Sequence, residues 1–312
     1  MTVSRPTSAR TGVTRVVCEQ LAPRIGDLIY NKGLALEAVR RSLADGADIV
    51  VLPELVTSGY VFETAEEART TAITVEDPFF SDLSALLTGT RGVVVLGFCQ
   101  EAEDADGTLY NSAAVVDASG VRAVYRKTHL WDRETLFFTP GDRTPPVVDT
   151  AHGRIGVLIC YDLEFAEMPR RLALAGADLI AVPTNWPLVE QPAGQYPAEI
   201  IQAQSAARAN GVFIACADRG GVERGQRWTQ GTAVIDQFGW LTSDTKATSD
   251  TKATTGSGDP ADPTGPDDPA ASPQRAVADL FLHLSRDKAI SPHNDLLGDR
   301  RPDIYAQETP LL

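Results

Sequence analysis

The sequence predicts a layered α/β fold, and two features of the chain support this prediction. Six short apolar runs rich in β-branched residues, each closed by polar or turn residues, are typical of buried strands. Three stretches next to these runs carry apolar residues at helical spacing and end at or beside glycine, as helices commonly do. Strands alternating with helices in this way build sheets whose faces are covered by helices.

The strand predictions follow the chain in order and together indicate a large sheet system. The six runs are DIVVLPEL (48–55), GVVVLGFCQE (92–101), NSAAVVDASG (111–120), RIGVLICYD (154–162), ADLIAVPTNW (177–186) and GVFIACADRG (211–220). The third run continues beyond the turn residues DASG into a second alternating segment, VRAVYRK, which predicts a hairpin. The sheets are therefore expected to be mixed rather than purely parallel.

The helix predictions cover three segments, one directly before the first of these strands and two between later strands. They are KGLALEAVRRSLADGA (32–47), EFAEMPRRLALAGA (164–177) and YPAEIIQAQSAARANG (196–211). Residues 242–275 break the pattern, because this segment repeats the hexamer SDTKAT and then becomes rich in Pro, Gly and Asp. Such a composition cannot bury enough apolar surface to fix one conformation, so a disordered insertion is predicted there. Its deletion is expected to leave activity and melting temperature nearly unchanged.

The charge and composition of the chain exclude several classes of function. A net charge of −14 argues against a nucleic-acid surface, which depends on Lys and Arg to neutralise phosphates. No stretch approaches the roughly 20 consecutive apolar residues of a membrane span, and the start of the chain lacks the apolar segment of a secretory signal. Four widely separated cysteines favour reduced thiols and a cytoplasmic location.

Cys160 is the first candidate for chemistry, because it lies where a predicted strand meets a predicted helix. A free cysteine is by itself more often a packed core residue than a nucleophile. At a strand end that leads into a helix, however, backbone N–H groups and the positive helix end favour a thiolate and could also hold an oxyanion. The four histidines, the usual bases for a thiol, do not follow strands as a base would, and a structural role is expected for His129.

Three further charged residues are ambiguous when each is taken alone. Glu54 follows an apolar run directly, where partial burial would raise its pKa toward that of a working base, although a salt bridge explains it equally well. Lys127 and Glu134 in KTHLWDRE resemble ordinary surface charges.

The four residues together carry a resemblance. Glu54 in LPEL, Lys127 in YRKTHLWD, Glu134 before FFTPG and Cys160 in GVLICYDLEF stand in the order and local contexts of the nitrilase superfamily of carbon–nitrogen hydrolases. The chain resembles this family from about residue 13 to the C-terminus, including RRPDIY (300–305) near its end. The resemblance implies a four-layer α-β-β-α sandwich that forms a single domain over 13–312, preceded by a flexible tail over 1–12.

The resemblance also implies roles for individual residues. Cys160 would be the nucleophile and Glu54 its base, and Lys127 with the backbone N–H of Tyr161 would stabilise the oxyanion. Glu134 would position Lys127. No metal or organic cofactor is expected, and family members assemble as homodimers or larger homo-oligomers.

Four residues are candidates for the wall of a substrate pocket, each with a structural alternative. Tyr60 lies near Glu54 and Trp131 near Lys127, and either could instead pack in the core. Asn185 and Trp186 follow a strand end expected beside that of Cys160, where the Asn-Trp-Pro step could equally form a turn.

The residues after the nucleophile bear on the substrate. True nitrilases tend to carry Cys-Trp-Glu, whereas this chain has Cys160-Tyr161-Asp162, which is similar to the amidase and carbamoylase side of the family. The expected activity is hydrolysis of a small carboxamide through a thioester, with release of ammonia and a carboxylic acid. An N-carbamoyl amine or amino-acid hydrolase is the alternative, a nitrilase ranks third, and an inactive scaffold is the non-enzymatic alternative.

Overall fold

Two six-stranded sheets form the centre of the structure, a computed structural model that describes residues 12–102, 107–189, 192, 194–245 and 274–305. In chain order the strands in these ranges are β1 (Thr14–Gln20), β2 (Ile49–Val51), β3 (Val93–Glu101), β4 (Leu109–Asp117), β5 (Gly120–Arg126), β6 (Val147–Thr150), β7 (Gly153–Val157), β8 (Leu179–Pro183), β9 (Phe213–Ala217), β10 (Val222–Glu223), β11 (Gln226–Arg227), β12 (Ala233–Ile235), β13 (Leu241–Asp244), β14 (Gln274–Leu280), β15 (Ala289–Ser291) and β16 (Asn294–Asp295).

The helices lie mostly between parallel strands. They are α1 (Leu28–Ala44), α2 (Ala65–Thr70), α3 (Pro78–Leu87), α4 (Glu167–Leu174), α5 (Ala198–Asn210) and α6 (Pro302–Tyr305), with short 3₁₀ helices at Asp132–Leu136, Cys160–Glu164 and Leu282–Arg286. Local signals set several of their ends. The Asp27 side chain accepts the Tyr30 N–H at the start of α1, and α5 ends at Gly211, whose φ of 59° lies in the left-handed region.

Both sheets combine parallel central strands with antiparallel outer ones. The first sheet has the order β14-β1-β2-β3-β4-β5, in which β1, β2 and β3 are parallel. The second has the order β13-β12-β9-β8-β7-β6, in which β7, β8 and β9 are parallel. The predicted hairpin is present, since β4 pairs antiparallel with β5. The prediction of mixed sheets is confirmed, and the parallel strands direct their carboxyl ends to one edge of each sheet.

The alternation of side chains along each strand produces the layers. Val16 and Cys18 of β1 join the apolar cluster between the two sheets, whereas Val17 joins a cluster that contains side chains of α1 and α3. In the second sheet, β9 faces β1 across the interface between the sheets, while α5 packs against β9 and β12 and α4 packs against α5. Helices therefore cover the outer face of each sheet, and the predicted α-β-β-α sandwich is confirmed.

All six predicted strands and all three predicted helices are present, with ends that differ by a few residues. β1 is not among the predicted strands, because Arg15 and Glu19 interrupt its apolar run. In the structure, both charged side chains are paired with residues of neighbouring elements. Arg15 pairs with Asp279 of β14, and Glu19 accepts hydrogen bonds from Arg41 and Ser42 of α1.

The predicted insertion at 242–275 is too wide at both ends. Residues 242–244 belong to β13, which pairs with β12, and Gln274 and Arg275 belong to β14, which pairs with β1. These polar residues lie on edge strands, where side chains can face water, so their composition resembles that of a loop. The remainder of the insertion, 246–273, and residues 1–11 of the predicted tail lie outside the described residues. In the part of the chain that is described, no helix has both the length and the apolar content to cross a membrane.

Candidate active site

The predicted catalytic residues meet at the carboxyl ends of the central strands. Glu54 follows β2, Cys160 follows β7 and Asn185 follows β8, while Lys127 comes directly after the antiparallel strand β5. The carboxyl ends of parallel strands lie at one edge of a sheet, and the packing of two sheets brings two such edges together. Residues far apart in the sequence thus share one site.

Glu54 is placed by an unusually close approach to the neighbouring strand. A side-chain Cβ at Gly97 of β3 would lie 2.4 Å from the Glu54 Cα, so only glycine allows the chain to pass here. The next residue, Leu55, has a φ of 47°, which a non-glycine residue seldom adopts. The Asn185 side-chain amide donates to the Glu54 carbonyl oxygen at 2.9 Å and holds the turn from the second sheet. The Glu54 carboxylate is fixed by this backbone.

Lys127 joins the two predicted carboxylates. Its Nζ donates to Glu54 Oε1 at 2.7 Å and to Glu134 Oε1 at 2.8 Å, and its side chain is fully buried. Asn111 of β4 donates a further hydrogen bond to Glu54 Oε1 at 2.7 Å. The Tyr60 hydroxyl donates to Glu134 Oε1 at 2.6 Å. We call Glu54, Lys127 and Glu134 the charge array.

Burial and charge set the protonation of the array. Burial raises the pKa of Glu54, Lys127 and Asn111 oppose this effect, and the nearby Glu134 charge adds to it, so that the net pKa is about 7. Burial lowers the pKa of Lys127, but the charges of Glu134 and Glu54 outweigh it and hold the pKa above its usual value. Glu54 Oε2 is buried without a hydrogen-bond partner among the described residues. The array therefore contains a fixed cation beside a carboxyl group able to take up a proton.

Cys160 begins a short 3₁₀ helix in a strained conformation. Its φ of 46° lies in the left-handed region, and its side chain is buried. Burial raises the pKa of the thiol well above its usual value, and Glu54 adds to this effect. Lys127 and a backbone N–H of Asn185 act in the opposite direction. The resting thiol is therefore protonated, and a nucleophilic role would require a neighbouring base.

The turn after Cys160 is held by the side chain of Asp162. Asp162 is fully buried and accepts the Tyr125 hydroxyl at 2.9 Å, the Ile159 N–H at 3.2 Å and the His129 N–H at 3.0 Å. The His129 ring also contacts Asp162 at 2.8 Å, in accordance with the structural role predicted for it. The backbone N–H of Tyr161 lies in the first turn of this 3₁₀ helix, where N–H groups have no partner within the helix. That N–H is available to a ligand, as the prediction of an oxyanion donor requires.

A cavity of about 100 Å³ adjoins the charge array through Glu134. Two of the four predicted pocket residues, Tyr60 and Trp131, line it, together with Phe62, Phe137, Phe138, Pro187 and Trp228. Asn185 and Trp186 do not line it. Both are buried, and Asn185 instead supports the Glu54 backbone. Larger surface grooves of about 790 and 620 Å³ contain none of the predicted site residues, so the aromatic cavity is the one connected to the chemistry.

Several residues of the site were missed by sequence reasoning. Asn111 and Asp162 are polar residues that stand within or beside apolar strand runs, which is a usable signal of a buried functional group. Trp228, Arg219 and Glu223 follow β9 in a segment without periodicity, where no local signal separates them from loop residues. Across the described ranges, no group of three or more His, Cys, Asp or Glu side chains is placed to hold a metal ion.

Comparisons with known proteins found similar sequences and similar folds. The profile of the carbon–nitrogen hydrolase family matches residues 15–252. A nitrilase of Pyrococcus abyssi is 33% identical over 293 residues, which are 94% of this chain and 99% of that protein. An (R)-stereoselective amidase of Pseudomonas sp. is 37% identical over 225 residues, which are 70% of this chain and 76% of that protein.

Solved structures of an amidase from Nesterenkonia sp. AN1 share the fold. One, with acrylamide added at the active-site cysteine, has a TM-score of 0.69 and 25% identity, covering 94% of this chain and 98% of that one. A second, a cysteine-to-alanine mutant in complex with butyramide, has the same TM-score and identity and covers 94% of this chain and 95% of that one.

Proposed function

This chain belongs to the carbon–nitrogen hydrolase family, and we propose that it hydrolyses a small carboxamide with Cys160 as the nucleophile. It is an amidase-type enzyme that acts on carbon–nitrogen bonds other than peptide bonds. The observation that carries the proposal is the buried contact of Lys127 with Glu54 and Glu134, beside a thiol at a strained strand end. Burial of two carboxylates and a cation is costly, and the chemistry of an amide explains why each is needed.

The first half of the reaction forms a thioester. Glu54 takes the proton from the Cys160 thiol as the sulfur attacks the carbonyl carbon of the amide. Negative charge develops on the former carbonyl oxygen, which accepts hydrogen bonds from Lys127 Nζ and the Tyr161 N–H. Glu54 then gives its proton to the leaving nitrogen, the carbon–nitrogen bond breaks, and ammonia departs. The pKa of Glu54, about 7, suits both steps, since the group must accept and return a proton near neutral pH.

The second half of the reaction releases the acid. Glu54 takes a proton from a water molecule, whose oxygen attacks the thioester carbon, and the same two donors stabilise the second tetrahedral intermediate. The carbon–sulfur bond then breaks, the proton returns from Glu54 to sulfur, and the carboxylic acid leaves. Glu134 holds Lys127 in place through its 2.8 Å contact throughout the cycle.

The size and the lining of the cavity favour a substrate with a small apolar acyl group. Its volume of about 100 Å³ and its wall of Tyr60, Trp131 and other aromatic side chains suit a short aliphatic chain or a single ring. The amidase of similar fold was solved with butyramide, a four-carbon amide. An N-carbamoyl amino acid is a second candidate, because its carboxylate needs a cation and Arg133 lies on the cavity wall.

A panel of compounds tests this proposal. Ammonia and acid release would be measured from small aliphatic and aromatic amides, N-carbamoyl amino acids, N-carbamoyl amines and nitriles, for the wild type, Cys160→Ala and Cys18→Ala. Cys18 is a buried thiol between the sheets and is the matched control. We expect turnover of small amides by the wild type and Cys18→Ala, and none by Cys160→Ala. Hydroxylamine should divert the acyl group to a hydroxamate, as a thioester requires.

Three outcomes would contradict the proposal. Preference for an N-carbamoyl compound or a nitrile would replace the substrate class but keep the nucleophile. Turnover that survives in Cys160→Ala would remove Cys160 from the mechanism. A wild-type protein that turns over nothing in the panel would favour the scaffold alternative. Assembly into a homodimer or larger homo-oligomer stays a prediction that sedimentation of the intact chain would test.

A further inference from the structure

A second buried ion pair lies behind the wall of the aromatic cavity. Arg219 and Glu223 are both almost fully buried, and Arg219 Nη1 donates to Glu223 Oε1 at 2.8 Å. Arg219 Nη2 donates to the Pro23 carbonyl oxygen at 2.8 Å. The guanidinium also lies over the Trp228 ring, 4.6 Å from its centroid. The pair thus links the segment after β9 to the one after β1.

The other oxygen of Glu223 holds the chain near the charge array. Glu223 Oε2 accepts the backbone N–H of Tyr60 at 2.8 Å and that of Val61 at 2.6 Å. Gly59 makes this approach possible, since a Cβ there would lie 2.9 Å from Glu223 Oε1 and 2.6 Å from the Ile25 Cα. No helix or strand contains residues 52–64, so these bonds across 163 and 162 residues fix a segment that lacks regular structure.

The fixed segment carries a side chain that reaches the catalytic machinery. The Tyr60 hydroxyl donates to Glu134 Oε1, the same oxygen that accepts from Lys127 Nζ. The Tyr60 ring also meets the Trp228 ring edge to face, with centroids 5.5 Å apart, and both rings line the cavity. A continuous set of contacts therefore runs from Arg219 through Glu223 and Tyr60 to the charge array.

We propose that Glu223, held by Arg219, is a positioning residue that sets the place of Tyr60 against Glu134 and so the alignment of Lys127 with the reacting carbonyl. This inference rests on the proposed function. A buried ion pair contributes little net stability on its own. This pair differs from a purely structural one in the two hydrogen bonds that Glu223 Oε2 accepts from the backbone N–H groups of Tyr60 and Val61.

The replacement Glu223→Gln tests the role with little change of volume. Three N–H donors, from Arg219, Tyr60 and Val61, surround the carboxylate, so the NH₂ group of glutamine must face one of them and break the arrangement. Asp178→Asn is the matched control. Asp178 is likewise buried, paired with arginine and bonded to a backbone N–H, but it precedes β8 at the opposite end of the sandwich.

The kinetic signature separates positioning from loss of stability. We expect Glu223→Gln to lower kcat by about 10- to 100-fold with a smaller change in KM, because small displacements of catalytic groups carry such costs. Asp178→Asn should keep kcat while losing stability. Equal kcat values for the two variants at matched stability would overturn the proposal.

A double-mutant cycle with Tyr60→Phe makes the test specific. Because Glu223 is proposed to act through the Tyr60 hydroxyl, the double variant should be little worse than the more damaging single one. If the effects of Glu223→Gln and Tyr60→Phe on kcat multiply in the double variant, Glu223 does not act through the Tyr60 hydroxyl. Should Glu223→Gln fail to fold, Arg219→Lys, which keeps the charge but loses the fork of two bonds, takes its place in the same cycle.

A readout without turnover keeps this proposal distinct from the proposed function. The rate at which iodoacetamide alkylates Cys160 would be measured by mass spectrometry in the same variants. We expect alkylation to slow in Glu223→Gln and Tyr60→Phe but not in Asp178→Asn, whichever substrate the enzyme takes. If the wild type turns over no amide but the alkylation rates differ between the variants as expected, only the proposed substrate class is refuted. Unchanged rates in Glu223→Gln and Tyr60→Phe would refute the positioning role.

Discussion

Two buried carboxylates, Asp178 and Glu54, lie near opposite ends of the parallel strands, and their pKa values are shifted in opposite directions. Asp178, which precedes β8, receives four hydrogen bonds: Ser285 and Arg286 donate to one oxygen, and Arg286 and the Arg154 N–H donate to the other. Burial raises the pKa of Asp178, but these donors outweigh it and hold the pKa below its usual value. Glu54, which follows β2, has one unpartnered oxygen and a pKa raised to about 7.

The difference shows how a buried carboxylate is kept reactive. When donors satisfy both oxygens, as at Asp178, the charge is stabilised and the group ties segments of the chain together. At Glu54 the donors gather on one oxygen, and the other remains free to exchange a proton. Incomplete hydrogen bonding costs stability, and such a cost is a feature expected of the catalytic role proposed for Glu54.

The largest effect is expected from Glu54→Gln. Loss of the proposed general base should lower kcat by about 10³-fold, since such groups contribute roughly 10²- to 10⁴-fold to the rate. Stability at pH 8 should stay equal or rise, because the variant no longer buries a poorly bonded charge. Steady-state turnover and urea unfolding of the same preparation measure both quantities. Activity within tenfold of the wild type would show that another group serves as the base.

Asp178→Asn should produce the reverse pattern. The NH₂ group of asparagine would face N–H or O–H donors that now bind the Asp178 carboxylate. We therefore expect the free energy of unfolding to fall by about 2 kcal/mol. Turnover should be retained, since Asp178 contacts no residue of the charge array. Urea unfolding and kcat would be compared with the wild type. A fall in kcat at full stability would mean that the two ends of the sandwich are coupled.

The pH dependence of stability should differ in sign between the two groups. The pKa of Glu54 is higher in the folded chain, so the wild type should lose stability relative to Glu54→Gln as pH rises from 4.5 to about 7. The pKa of Asp178 is lowered from 3.8, so its contribution is present above that value and is lost as pH falls through the folded-state pKa. Unfolding at pH 5 and 8 tests the first trend. A difference between wild type and Glu54→Gln that stays constant with pH would contradict it.

The smallest effect is expected from His129→Gln. The His129 ring contacts Asp162 at 2.8 Å and stacks on Phe165 with centroids 3.7 Å apart, so it supports the turn after Cys160. We expect kcat to fall only a few-fold, while the acid limb of kcat/KM stays near pH 7, the pKa of Glu54. Loss or a large shift of that limb would assign it to the histidine instead. Replicate pH profiles of wild type and variant supply the measurement.

Much of the fold could be predicted because the buried strands and helices appear in the sequence as apolar runs and as apolar residues at helical spacing. The runs that contain Cys160 and Glu54 are apolar enough to reveal a buried strand before each residue. β1 escaped prediction because the carboxylate that pairs with Arg15, in β14, and the donors that bind Glu19, in α1, belong to other elements of the fold. The edges of the 242–275 segment were misassigned for a related reason, since edge strands tolerate the same polar residues as loops.

The sequence by itself determined the layered α/β fold, and its four charged or nucleophilic residues carried the resemblance that proved correct at the level of the family. Only the tertiary structure decided that Lys127 joins Glu54 to Glu134, that Asn185 supports the Glu54 backbone rather than lining the cavity, and that Glu223 holds Tyr60. Periodicity is a local property that short segments record, whereas hydrogen bonds between distant segments and the pKa shifts they cause exist only after the two sheets have packed together.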